Sequence, residues 1–443
     1  MNKQMRFLAC LAVVALAACA APAAPAAPMR QTAQPERPAL TPEPGISATQ
    51  VDVDAGGGKS VEKGEINPEL VAANTRFGFK LYSELLKADG NTNVFFSPAS
   101  VAIALAMTYN GAKGDTQQAM ANTLELQGMS LEQVNQAYAS LLRELESADP
   151  DVEVAIANSL WARAGVDFYP DFLQRTQLYY DAEVATLDFN DPGAVDTING
   201  WVSDQTQGKI PAIVDQVSPD AILYLINAVY FNGGWVKPFD EKLTQEQPFN
   251  LLGGGQKPVP MMRQSGEFAY LKGPNFQAVK LPYGKQDGPQ RYGMAVVLPD
   301  EGTTLAEFEA SLSADNWNKW SAAFAPASGD LAMPRFTADY DTEINKALEA
   351  LGMAIAFDPV QADFSGMRPI PPNVFISSAK HKAYVDVNEQ GTEAAAVTSI
   401  EMGVTSAREE PERFSMVVDR PFFTAIYDTQ TGEILFMGQI VEP

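Results

Sequence analysis

The sequence contains one histidine, His381, and two cysteines, Cys10 and Cys19. Catalysis by a histidine base would have to use His381. We expect no cysteine thiol to pair with it, because Cys10 lies in a segment that we expect to be removed and Cys19 is expected to carry lipid. Zinc sites combine several nitrogen and sulfur ligands, so we predict no metal and no cofactor. The alternation of residues 378–385 around the histidine is typical of a strand. We therefore interpret His381 as a structural residue. A hydrolase is accordingly the weakest of the three functional hypotheses that the sequence allows, and the other two are given below.

The most informative stretch is residues 385–408. From Thr392 onward, a period-two pattern separates an uncharged face from a face that takes both glutamates. The uncharged face holds Thr392, Ala394, Ala396, Thr398, Ile400, Met402 and Val404, and the other face holds Glu393, Ala395, Val397, Ser399, Glu401, Gly403 and Thr405. Gly391 and the alanines give weak strand propensity. The segment can therefore become a strand without being held as one, with an ordinary strand or a helical turn as the alternative.

The pattern breaks after Thr405. Residues 406–413 are charged and include Pro411, which a central strand does not accommodate. We expect an exposed loop that a protease can reach, and we expect the segment that begins at Gly391 to lie outside the fold in the intact protein.

The elements around this stretch follow from hydrophobic periodicity. Helices are predicted at residues 70–87, 115–124, 130–147 and 192–206, and another is capped by Ser97 or Ser100 and ends at Gly111. Strands are predicted at 152–161, 221–231, 294–299, 332–336, 414–418, 422–427 and 434–437. Helices dominate the first half and strands the second, which predicts the α+β class.

The first residues are typical of a targeting segment. Residues 1–18 combine Lys3 and Arg6 with an apolar run that is too short to span a bilayer. The run ends at Cys19 in a sequence similar to a bacterial lipobox, whose cysteine carries lipid, and a plain secretory signal is the alternative. Residues 19–66 are rich in proline, alanine and glycine and predict a disordered linker. Residues 67–443 predict one folded domain.

Composition limits the partners. The formal net charge of −24 disfavours nucleic-acid binding, which needs clustered cations. We expect a secreted monomer, anchored to the bacterial cell envelope through lipid on Cys19, at the outer membrane or outside the cell.

Several fragments resemble the serpin family and occur in the family's order. They are residues 93–100, 207–210, 227–235, 389–396, 419–423 and 436–438. The resemblance implies the serpin fold, with a large mixed and antiparallel β-sheet A, two further sheets, about eight to nine helices and an exposed reactive-centre loop. It also implies a serine-protease inhibitor, because in serpins the protease cleaves this loop, forms an acyl-enzyme and is trapped when the loop inserts into sheet A. A non-inhibitory surface-binding protein on the same fold is the alternative.

The resemblance assigns roles to particular residues. The hinge of the loop comprises Glu389, Gly391, Thr392, Glu393, Ala394, Ala395, Ala396 and Thr398. His381 matches the histidine of the shutter under the centre of the sheet, with Ser97, Ser100 and Asn227 as neighbours. Trp235 matches the tryptophan of the breach, where insertion begins.

The bond that the protease cleaves is less sharply defined. The usual hinge length, counted from Gly391, gives the Thr405–Ser406 bond, whereas counting back from Pro421 gives a bond near Glu410. Arg408 is the alternative and would attract trypsin-like enzymes. We prefer Thr405, whose neighbourhood suits an elastase-like or subtilisin-like serine protease.

Overall fold

The computed structural model describes residues 49–50, 66–147, 149–371, 373–392 and 413–443. The targeting segment, most of the linker with Cys19, and the loop positions Glu393, Ala394, Ala395, Ala396, Thr398, Thr405, Ser406 and Arg408 lie outside the described residues. The helices are Pro68–Asp89 (α1), Pro98–Tyr109 (α2), Gly114–Thr123 (α3), Leu131–Ser147 (α4), Pro170–Tyr180 (α5), Ala194–Gln205 (α6), Leu305–Glu309 (α7), Ala314–Ala322 (α8), Asn345–Leu348 (α9) and Ala354–Phe357 (α10). The chain is kinked between α9 and α10 at Gly352, whose φ of +111° is not helical, and a short 3₁₀ turn forms at Glu241–Leu243.

The described residues also form sixteen strands. They are Thr49–Gln50 (β1), Val94–Phe96 (β2), Val152–Arg163 (β3), Glu183–Leu187 (β4), Leu223–Gly234 (β5), Gln245–Asn250 (β6), Gln256–Lys272 (β7), Phe276–Pro282 (β8), Tyr292–Pro299 (β9), Ala325–Pro334 (β10), Phe336–Glu343 (β11), Ser378–Val387 (β12), Gly391–Thr392 (β13), Phe414–Val417 (β14), Phe422–Asp428 (β15) and Ile434–Ile440 (β16). The α+β class is confirmed, and the large mixed sheet A that the family resemblance implies is present.

Sheet A has the strand order β1-β4-β3-β5-β13-β12-β11. Its centre is β5, which runs antiparallel to β3 and parallel to β12. Most of β5 is buried, as its apolar sequence predicts for a strand covered on both faces. The parallel pairing of β5 with β12 joins residues 224–230 to residues 378–384.

The other strands form a continuous path, β14-β10-β7-β8-β9-β15-β16-β2, with β6 on β7. Most of β7 pairs with β6 and β10, whereas its last four residues pair with β8. The two further sheets implied by the family resemblance are therefore linked through this one long strand.

The core lies on both faces of sheet A. Beneath it, a large cluster combines α1 and the fully buried α2 with the second set of strands. Above it, α6 packs Ile198 and Val202 against the outer side chains of β5, including Ile226. Ser97 begins α2 by accepting a hydrogen bond from the Ser100 backbone N–H, and Pro98 follows it in the first turn. Of the two predicted caps, the structure uses Ser97.

One predicted strand is wrong as a single element. Residues 332–336 do not continue through one strand, because β10 ends at Pro334 and β11 begins at Phe336. The chain leaves one sheet and enters the other at Arg335, whose backbone N–H bonds the Pro260 carbonyl. A short apolar run cannot show such a crossing, since both halves have strand character.

Candidate functional site: the hinge and the centre of sheet A

Two of the hinge residues, Gly391 and Thr392, already lie inside sheet A. β13 inserts between the ends of β5 and β12, pairing Gly391 with Gly234 and Thr392 with both Gly233 and Val387. The expectation that the segment lies wholly outside the fold from Gly391 is therefore wrong for these two residues. Below them β5 and β12 pair directly with each other, so the sheet is closed beneath β13.

Local geometry explains why the hinge enters at Gly391. Its φ is +154°, and a Cβ placed there would come within 2.2 Å of the Gly233 carbonyl oxygen. Only glycine permits so close an approach of the two backbones. The next residue, Thr392, is fully buried, and its hydroxyl lies 2.7 Å from the hydroxyl of Tyr283. Thr392 thus occupies the inward face that the alternation predicts for it.

Trp235 holds the turn that precedes the hinge. Its indole N–H donates to the Asn388 carbonyl at 2.9 Å, and its backbone N–H donates to the Gln390 carbonyl at 2.8 Å. The indole stacks on the ring of Tyr283, with the ring centroids 4.4 Å apart and the planes inclined by 19°. The predicted breach tryptophan is therefore in direct contact with the start of the hinge.

Glu389 forms an ion pair at the same place. Its side chain is almost completely buried and lies 2.6 Å from the half-exposed guanidinium of Arg335. The Thr244 hydroxyl also donates to this carboxylate. Burial on its own would raise the pKa of Glu389, but the hydrogen bonds from Arg335 and Thr244 lower the pKa below its usual value. The carboxylate is thus charged at neutral pH and fastens the hinge to the junction between β10 and β11.

The four predicted shutter residues also meet. The His381 Nε2 accepts from the Ser97 backbone N–H at 3.1 Å, so the neutral ring carries its proton on Nδ1 and donates it to Asn227 Oδ1 at 2.6 Å. The Asn227 amide donates in turn to the Ser100 carbonyl at 3.2 Å and to Asn158 Oδ1 at 2.7 Å. The network ties α2 to three neighbouring strands of sheet A.

This arrangement supports a structural role for His381. The ring is fully buried, and burial lowers the pKa of His381 to about 3. Protonation would also place a second donor against the Ser97 N–H. Since both ring nitrogens are engaged within the network, neither is available to act as a general base.

Four further residues of this site were not predicted from the sequence. They are Asn158, Thr244, Tyr283 and Arg335, which contact predicted residues across long stretches of chain. For Asn158 a signal existed, because a polar residue interrupts a predicted apolar strand. The other three lie at strand ends or in connections, where polar residues are common. Within the described ranges, no cluster of three or more histidine, cysteine, aspartate or glutamate side chains could hold a metal ion. No helix in those ranges is both long and apolar enough to span a membrane.

Comparison with known proteins agrees with this geometry. The sequence profile of the family described as "Serpin (serine protease inhibitor)" matches residues 72–443. Leukocyte elastase inhibitor from Bos taurus is 35% identical over 392 residues, covering 85% of this chain and all of the relative. Serpin B8 from Homo sapiens is 36% identical over 387 residues, with 85% and 100% covered. The solved structure of tengpin, a thermophilic serpin in the native state, has a TM-score of 0.81 at 29% identity and covers 90% of this chain and all of tengpin.

The chain therefore belongs to the serpin family. Its relatives include protease inhibitors, as their names state. The fold also occurs in thyroxine-binding globulin, solved in complex with thyroxine, with a TM-score of 0.76 at 29% identity over 84% of this chain and 99% of that one.

Proposed function

We propose that this protein inhibits a serine protease as a suicide substrate, with the cleaved loop inserting into sheet A between β5 and β12. The observation that carries this proposal is the position of β13, which has entered only the end of the space between two strands that otherwise pair directly. Further entry would exchange one parallel pairing for two antiparallel pairings. Antiparallel pairing is slightly more stable per residue, and each inserted residue adds a new set of backbone hydrogen bonds.

The observed register defines what each inserted residue would meet. Gly391 pairs with Gly234, so an inserted residue n faces residue 625 − n of β5. Thr392 pairs with Val387, so the same residue faces 779 − n of β12. Thr398 would then lie between Asn227 and His381. Insertion would separate these two shutter residues and break their direct hydrogen bond. The Thr398 hydroxyl, which can both donate and accept a hydrogen bond, would then lie between them.

The same register bears on the cleaved bond. Met402 would face Leu223, the first residue of β5. A bond after Thr405 leaves three residues (405 − 402) beyond the sheet, whereas a bond after Arg408 leaves six (408 − 402). At ~3.4 Å per extended residue these tethers span about 10 and 20 Å. The shorter tether would hold an acylated protease against the end of the sheet, which favours Thr405–Ser406 as the reactive bond.

The nature of this bond suggests the target. Val404 and Thr405 are small, which suits an elastase-like or subtilisin-like serine protease, and cleavage after Arg408 by a trypsin-like enzyme is the alternative. The name of the relative leukocyte elastase inhibitor is consistent with the first choice. We further propose that residues 1–18 are removed, that lipid on Cys19 anchors a monomer to the cell envelope, and that residues 19–66 tether the serpin domain.

The test is incubation with elastase-like, subtilisin-like and trypsin-like proteases, followed by an SDS gel. An inhibitor gives a complex that survives SDS, and N-terminal sequencing of the released fragment identifies the bond as 405–406 or 408–409. Clean cleavage without any complex would instead support the alternative, a non-inhibitory surface-binding protein.

A further inference from the structure

We propose that Tyr283 is a positioning residue for loop insertion. Its hydroxyl holds Thr392 in the sheet before cleavage, and so raises the fraction of acylated loops that insert before the acyl-enzyme hydrolyses. The inference rests on the proposed inhibitory function. It means that Tyr283, a residue outside the hinge, affects the fraction of cleaved molecules that end as a stable complex with the protease.

The ring of Tyr283 packs against two other aromatic rings. The residue follows β8 directly, is fully buried, and forms an isolated antiparallel bridge with Trp235. The Trp235 indole stacks on the ring, while the Phe231 ring meets it edge to face at 4.8 Å between centroids. A ring packed in this way has one orientation, so the position of its hydroxyl is set by the core rather than by the hinge.

Among the described residues, the Tyr283 hydroxyl forms a hydrogen bond only with the hinge. Its hydrogen bond with the Thr392 hydroxyl, at 2.7 Å, is the only one either hydroxyl makes there. Both groups are completely buried, and a buried hydroxyl without a partner is unfavourable. The pair therefore favours the state in which Thr392 is inside the sheet over the state in which it has withdrawn.

This preference for an inserted Thr392 affects loop insertion, the step that decides whether the protease is inhibited or released. After cleavage, insertion competes with hydrolysis of the acyl-enzyme, and a strand that already has two residues in place needs no new nucleus. The number of inhibitor molecules consumed per protease trapped, minus one, equals the ratio of the hydrolysis rate to the insertion rate. Loss of a net hydrogen bond corresponds to about a 2- to 10-fold change in an equilibrium, so insertion would slow by up to that factor.

The experiment is a comparison of three single variants of the full chain with the target protease. Tyr283→Phe keeps the ring and its stacking on Trp235 but removes the hydroxyl. Thr392→Val removes the other partner with little change in shape. Tyr292→Phe is the matched control, because Tyr292 is also buried and also contacts Phe231, but its hydroxyl donates to the Leu145 carbonyl rather than to the hinge.

For Tyr283→Phe and Thr392→Val we expect the stoichiometry of inhibition minus one to rise about 2- to 10-fold, with the rate of loop acylation unchanged. The double variant should be no worse than either single variant, because both remove the same bond. Tyr292→Phe should lower thermal stability without changing the stoichiometry.

An unchanged stoichiometry in Tyr283→Phe, an equal rise in Tyr292→Phe, or additive effects in the double variant would each overturn the role of Tyr283. These outcomes are distinct from failure of the proposed function itself, in which the wild-type protein would form no SDS-stable complex with any protease.

Discussion

Replacing Thr398 with arginine should convert the inhibitor into a substrate. The register of β13 predicts that this side chain, once inserted, lies between Asn227 and His381, which are 2% and 0% exposed. A guanidinium there would have no carboxylate within the shutter network, whose members are neutral. The intact protein should fold normally, because the penalty arises only when the loop enters the sheet.

The magnitude follows from the cost of a buried, unpaired charge. That cost is several kcal/mol in proteins, and a value of about 4 kcal/mol slows insertion roughly a thousandfold if the transition state bears all of it. Even half of that value gives about thirtyfold. Hydrolysis of the acyl-enzyme would then win, so the protease would be released active and the variant would appear as cleaved chain.

The assay is an SDS gel with residual protease activity, and the chain offers a matched control. Glu393→Arg introduces the same side chain five positions earlier, on the outward face, where the register places it between Asn232 and Asp386. Both of these neighbours are only partly buried, and one is acidic. Glu393→Arg should still trap protease. If Thr398→Arg forms the complex with wild-type stoichiometry, the inserted register is wrong.

Three further predictions concern stability. Glu389→Gln removes the charge that pairs with Arg335 and should lower the free energy of unfolding by about 1–3 kcal/mol, as measured by urea titration, with Arg335→Gln as the companion variant. Burial lowers the pKa of His381 to about 3 from an ordinary 6.5, so between pH 6.5 and 3 only the unfolded chain binds this proton. The free energy of unfolding should therefore fall by up to about 1.4 kcal/mol for each pH unit below 6.5. The His381→Gln variant should lose this slope. Burial raises the pKa of Glu433 to about 8, so between pH 4.5 and 8 the folded chain keeps a proton that the unfolded chain loses. The free energy of unfolding should therefore decline as pH rises from 4.5 to 8. The Glu433→Gln variant, which keeps the hydrogen bond from the Asn74 amide, should not show this decline.

Features with a local cause could be predicted from the sequence. A serine cap at Ser97 or Ser100 and the proline between them indicate the start of α2, with the structure choosing Ser97, and the nearly continuous apolar run in β5 indicates burial on both faces. The order of motifs identified the family, and with it the meeting of Ser97, Ser100, Asn227 and His381. These four residues come from three separate elements, and periodicity alone does not place them together.

Features set by tertiary register could not be predicted. Arg335 reaches Glu389 because the chain crosses between the two sheets at Arg335 itself, inside what looks like one strand. Tyr283 meets Thr392 only because β8 and the end of β5 are fixed beside each other. The early entry of Gly391 and Thr392 depends on a glycine facing another glycine across two strands. No neighbouring residue in the sequence signals any of these contacts.

The most direct measurement is the thermal unfolding of the protein before and after one cut at the Thr405–Ser406 bond or directly after Arg408. If the loop gains free energy by joining sheet A, the cut protein should melt at a clearly higher temperature than the intact one, and Thr398→Arg should abolish the gain. Equal melting temperatures for the cut and intact wild-type protein would contradict the account, because loop insertion would then release no free energy to hold the protease.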